Sequence, residues 1–189
     1  MKTGLLLLSG GTGRRMGSPK HALVHPTGGS WGGHLVRVFE SVFPGGPIQV
    51  LGEPLPDRPE LQALEDPREG PAMALRHWAC TGGPQADRWW VVACDQVRWT
   101  REALKDWAGI CDTEDPAATR WVMALHAGHR QPLGGWLPEA LRPALAQATA
   151  RSLTALAASL PHLVIPRHGP EWIDVDTPYE RATFEAGQS

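Results

Sequence analysis

The stretch LLLLSGGTGRRMGSPK, residues 5–20, decides how this chain is read. Its first four residues are leucines with no polar alternation, as expected for a short strand covered on both faces. The strand then runs into a turn carrying Gly10, Gly11, Gly13 and Gly17, with Arg14, Arg15 and Lys20 among them. Glycines admit positive φ and let main-chain N–H groups approach a ligand closely, and the three cations add fixed positive charge. A buried strand feeding such a turn points to a polyphosphate ligand. The two common phosphate loops do not fit it. Lys20 follows Pro19 rather than a glycine, so the Walker A pattern is absent. Counted from Gly11 and Gly13, the third glycine of a dinucleotide fingerprint would fall on Met16.

Outward from this stretch, apolar runs alternate with amphipathic ones. Strands are expected at 4–9, 47–51, 88–94, 120–126 and 162–166, and helices at 32–43, 70–80, 101–110, 137–149 and 152–160. Ser152 is placed to cap the helix that follows it. Thr177-Pro178-Tyr179-Glu180 has the form of a capping box with proline at the first helical position. Residues 52–71 hold five prolines and many charges, and read as a surface loop with one short helical stretch. The alternation predicts an α/β fold of three layers, a mostly parallel sheet flanked by helices, in one domain spanning 1–189. Ligands of such sheets bind beyond the carboxyl ends of the strands, here the loops after residues 9, 51, 94 and 126.

Composition narrows the function. A formal net charge of −2 leaves no basic footprint for nucleic acid or an anionic membrane, so any bound anion must be held locally. Four leucines are far short of the roughly 20 residues that span a bilayer. Cys80, Cys94 and Cys111 are odd in number and lack metal-ligand spacing, which suits a reducing compartment. These features predict a cytoplasmic protein without nucleic-acid or membrane partners. His126 and His129 read as loop residues, and the nine tryptophans as core aromatics.

LSGGTGRRMGSPK resembles the signature of MobA-like nucleotidyltransferases, approximately L-[AS]-[GA]-G-x-[GS]-x-R-M-G-x-x-K, and is most similar to that of the molybdenum cofactor guanylyltransferases. Four later segments follow the family's order: EDPREGPAMAL, VVACDQV, HRQPLGGWLPEALRPAL and WIDVDTPYE. The resemblance implies a Rossmann-like nucleotidyltransferase fold. It also implies Mg²⁺-dependent transfer of GMP from GTP to molybdopterin, with release of pyrophosphate. On this likeness Leu8, Ser9, Gly10, Gly11, Thr12 and Gly13 contact the nucleotide, and Arg15 and Lys20 lie against its triphosphate. Asp66 binds the nucleotide, and Asp95 holds the metal, with Asp176 as a second ligand. Arg130, Gln131, Gly134 and Gly135 are candidates for the acceptor side. Insertion machinery or apo-enzymes are the implied protein partners.

Each assignment has a physical sense. Preorganised cations stabilise the charge that builds as pyrophosphate departs. A carboxylate at the end of a buried strand suits Mg²⁺, which binds through one or two carboxylates plus phosphates and waters. Asp174 and Asp176 depart from the family, whose guanylyltransferases usually carry asparagine there. Gln96 departs too, standing where a proline is usual, and Leu51 stands where some relatives present a polar group. The acidic pair is similar to that of cytidylyltransferases of the same fold, so CTP is the alternative donor. Gly10-Gly11 favours guanine, since cytidylyltransferases tend to carry Ala-Ala-Gly from position 9. A reading of a different class is a nucleotide-binding delivery protein with weak or no turnover.

Overall fold

The computed structural model describes residues 1–10 and 18–187. Seven strands form one sheet: β1 (Thr3–Leu8), β2 (Ile48–Leu51), β3 (Ala63–Leu64), β4 (Arg88–Ala93), β5 (Trp121–His126), β6 (His129–Pro138) and β7 (His162–Pro166). Their spatial order is β3-β2-β1-β4-β6-β5-β7, and β6 alone runs against the others. Helices α1 (Trp31–Val42), α2 (Pro71–Cys80), α3 (Arg101–Glu114), α4 (Arg142–Gln147), α5 (Leu153–Ala158) and α6 (Pro178–Ala186), with short 3-10 turns at Lys20–Ala22, Glu139–Leu141 and Pro170–Trp172, complete the described elements. All of β1 is buried, because alternate leucines feed two cores. Leu5 and Leu7 pack with α1 and α3 on one face; Leu6 and Leu8 pack with α2, α4 and α5 on the other. The three expected layers are present.

Local chemistry sets the helix starts. Ser30 and Thr100 accept from the main-chain N–H groups of Gly33 and Ala103, and Ser152 accepts from Ala155 as its sequence suggests. The capping box at Thr177 and Glu180 forms in full, with Pro178 opening α6.

Three expectations need correction. Residues 129–138, read partly as turn and partly as helix, form β6, which hairpins back from β5. Pro132, Gly134 and Gly135 hid it. They sit where the β5–β6 register breaks, and Gly134 has φ +81° with Trp172 packed where its Cβ would be. The helix expected at 137–149 shrinks to α4 behind a short 3-10 turn. The segment 52–71, read as loop, contributes the two-residue edge strand β3. The tryptophans are core: Trp90 and Trp107 both donate to the Gly134 carbonyl, at 3.1 and 2.9 Å, and Trp99 and Trp172 pack edge-to-face beside them.

Two histidines, His25 before α1 and His34 within it, tie this part of the chain to the segment after β4. The rings of His25 and His34 stack with centroids 3.6 Å apart. The Nε2 atoms lie 3.4 and 3.0 Å from the carbonyls of Val97 and Trp99, and His25 Nδ1 lies 2.7 Å from the Thr27 hydroxyl. Burial, then the neighbouring His25 ring, pushes the His34 pKa down to about 4. The unfolded chain therefore binds this proton first. The contribution of neutral His34 is complete above about pH 6.5 and is lost as pH falls toward 4, on the order of 3 kcal/mol in all. Urea unfolding at pH 7 and pH 4.5 is expected to show that fall, and His34→Gln to reduce it.

Candidate active site

The chain order reverses at β1. From it the chain passes to β2 and β3 on one side, then returns to lay β4 on the other, leaving a crevice at the strands' carboxyl ends. Cys94 N donates to Leu8 O at 3.0 Å, so Ser9-Gly10 and Asp95 leave the sheet side by side. Ser9 is buried, its N–H bonded to Leu51 O at 2.8 Å and its hydroxyl to Glu53 O at 2.6 Å. These bonds clamp the exit of β1 to that of β2. Gly52 follows with φ +118°, and a Cβ there would stand 2.4 Å from Gly10 N. Only glycine fits.

Beside this clamp lies a cleft of about 510 Å³ lined by Gly10, Gly52, Glu53, Glu65, Asp66 and Arg68. One Asp66 oxygen accepts from Arg68 N at 2.9 Å. The other packs against Gly10, where an added Cβ would stand 2.1 Å away. The Arg68 guanidinium pairs with Glu53 at 2.7 Å. The missing Cβ at position 10 thus makes room for the chain's own carboxylate.

On the other side of β1, three charged residues meet. Lys20, in a 3-10 turn over Lys20–Ala22, places Nζ 2.9 Å from Asp95 Oδ2 and in contact with Asp176 Oδ1. Asp95 follows β4 directly. Asp176 is brought to it by Val175, whose N–H donates to Asp95 O at 3.0 Å and whose side chain is buried with Leu23, Trp31, Val97 and Phe184. Asp176 N in turn donates to Glu180 of the capping box, at 2.8 Å. Burial works against the Lys20 charge, but the carboxylates of Asp95 and Asp176 more than offset it and raise its pKa above the usual lysine value.

Asp174 completes an acidic segment. Its residue keeps an exposed edge, yet its carboxyl is crowded, and that desolvation, with the charges of Asp95 and Asp176, pushes its pKa up to about 7. Gln96 is buried, and its side chain accepts from Ala93 N at 3.4 Å. Among the described residues no group of three or more His, Cys, Asp or Glu side chains is gathered to hold a metal by itself. Asp95 and Asp176 nonetheless converge on one cationic point, which fits an ion that takes its remaining ligands from phosphates and water.

Of the residues singled out in sequence, Lys20, Asp95 and Asp176 come together as a contact group, and Leu8, Ser9, Gly10 and Asp66 form the neighbouring clamp and cleft. Gly11, Thr12, Gly13 and Arg15 lie outside the described residues. Arg130, Gln131, Gly134 and Gly135 belong to β6, and Trp136 and Trp172 are buried in the core. His126 and His129 face each other as a cross-strand pair. Sequence reading missed Gly52, Glu53, Arg68 and His21. Gly52 had a signal, a glycine directly after an apolar run. His21 is buried, and burial lowers its pKa.

The family model for the MobA-like NTP transferase domain matches residues 5–164. The chain belongs to that family. No curated protein matches the sequence significantly. Among solved structures, the MobA-like chain is similar to molybdopterin-guanine dinucleotide biosynthesis protein A from Archaeoglobus fulgidus, with 17% identity, 98% of each chain covered and a TM-score of 0.69. It is also similar to Rv0371c from Mycobacterium tuberculosis in complex with manganese (18%, 97% of each chain, 0.64). A third is CMP:2-keto-3-deoxy-manno-octonic acid synthetase complexed with CTP (12%, 100% of this chain and 98% of that one, 0.71). At these identities the likeness establishes the fold. No helix among the described residues of this MobA-like chain is long and apolar enough to cross a membrane.

Proposed function

We propose that this chain transfers GMP from GTP to molybdopterin in a Mg²⁺-dependent reaction that releases pyrophosphate. The observation that carries the reading is the Asp66 carboxylate set against Gly10 in a cleft next to the Lys20–Asp95–Asp176 group. Guanine presents N1–H and the N2 amino group side by side, and a carboxylate accepts from both. Cytosine presents one amino group next to acceptor atoms that a carboxylate repels. In this reading the base lies on one side of β1 and the phosphates on the other.

In this reading a phosphate oxygen of the acceptor attacks the α-phosphorus as the bond from that phosphorus to the β-phosphate oxygen breaks. Asp95 and Asp176 hold Mg²⁺, which when bound neutralises phosphate oxygens and polarises the α-phosphorus. Lys20 and Arg15 lie against the triphosphate, and the main chain from Leu8 to Gly13 carries the nucleotide. The acceptor phosphate is ionised at neutral pH, so alignment and charge neutralisation do most of the catalysis and no general base is required. The product then passes to insertion machinery or apo-enzymes in the cytoplasm.

CTP is the second reading, favoured by the carboxylates at positions 174 and 176. The deciding assay incubates the protein with molybdopterin, Mg²⁺ and either α-labelled GTP or α-labelled CTP. Label is expected to move to the pterin from GTP. Transfer from CTP alone would remove the guanine assignment, and transfer from neither would leave a nucleotide-binding delivery protein.

A further inference from the structure

The position of Lys20 carries a consequence for how metal enters. Its ammonium touches both carboxylates that converge on the centre, and with them it leaves one net negative charge where two carboxylates alone would present two. Lys20 and Asp95 are well shielded, with side chains 19% and 21% exposed, so their attraction is less screened than that of a surface pair. Mg²⁺, or Mn²⁺ in its place, must approach oxygens of the same two carboxylates to about 2.1 Å. An ammonium that holds one oxygen of each carboxylate removes that oxygen from the cation's reach and repels a dication brought to the other. A nucleoside triphosphate changes the balance. Its phosphates supply negative charge and new acceptors for the ammonium, which has three donors and four carbons of reach.

We infer that Lys20 selects the metal–nucleotide complex over the free cation, holding the Asp95–Asp176 pair closed to bare divalent ions and exchanging the carboxylates for phosphates when the nucleotide arrives. This rests on the reading of the crevice as a metal–nucleotide site. It assigns Lys20 two successive partners. In the nucleotide-free protein the lysine keeps two carboxylates from repelling each other; in the loaded protein it faces the leaving pyrophosphate.

Mn²⁺ binding followed by electron paramagnetic resonance tests this without turnover. Wild-type protein is expected to bind free Mn²⁺ weakly, and Lys20→Met to bind it about tenfold more tightly or better. With a GTP analogue carrying a methylene bridge between its α- and β-phosphates, the order reverses, because the variant has lost a phosphate contact. Asp95→Asn is expected to abolish the gain. Equal or weaker Mn²⁺ binding by Lys20→Met, or a gain that survives Asp95→Asn, overturns the inference. Lys20→Gln keeps a donor for the carboxylates and serves if the methionine variant melts early. Wild-type protein supplies an arm that needs no substitution: Mn²⁺ affinity equal with and without the analogue also overturns the inference. None of these results depends on molybdopterin. A failed transfer assay therefore leaves the exchange standing, and a failed exchange leaves the transfer assay standing.

Discussion

Asp95→Asn is expected to lower kcat about a thousandfold or more while the protein remains folded. The carboxylate that meets Lys20 is replaced by a neutral amide of the same shape, so packing is kept and charge is lost. Val175 still donates to the main-chain oxygen at position 95, which keeps the 174–176 segment in place. A thousandfold corresponds to about 4 kcal/mol of transition-state stabilisation, the scale seen when one preorganised electrostatic group is removed. Single-turnover transfer with saturating nucleotide gives the rate, and a melting curve the fold. Unchanged turnover would take Asp95 out of the chemistry. A loss confined to KM would make it a binding residue.

The second large effect falls on the base cleft. Asp66→Ala is expected to lower kcat/KM for GTP about a hundredfold, mostly through KM, as loss of a charge-assisted pair of hydrogen bonds implies. Gly10→Ala is expected to do nearly the same by another route, because its methyl group would displace the carboxylate rather than the base. A double-mutant cycle separates the two routes. If the glycine exists to house Asp66, Gly10→Ala costs little once Asp66 is alanine. Additive losses would instead put the base itself against Gly10.

The parts of the fold that were legible in sequence were those with unbroken apolar runs. LLLL, WWVVA and HLVIP fell within a residue or two of β1, β4 and β7, because strands buried on both faces need no alternation to announce them. The strand β6 was not legible. Its central glycines allow a register break that packs tryptophans, and the same residues in isolation describe a turn. Two residues, Ala63 and Leu64, leave no period to read, so β3 was hidden in a proline-rich segment.

At the site, Asp95 could be placed from its strand, but its meeting with Asp176 came only through resemblance, since it depends on one main-chain bond from Val175 and one capping box. Gln96 and Asp174 were each noticed as departures. The packing of Asp66 against Gly10 was not legible either, because the two residues lie far apart along the chain.

Lys20 and Asp95 are 75 residues apart, and Lys20 and Asp176 are 156 apart. Nearly the entire polypeptide must be in order before those three charges meet, with the sheet assembled between them. Activity during refolding would then appear last, as a signal that both ends of the molecule have found each other. A nascent chain that has not yet reached Asp176 would already carry Lys20 and Asp95 and still lack the third charge of the group.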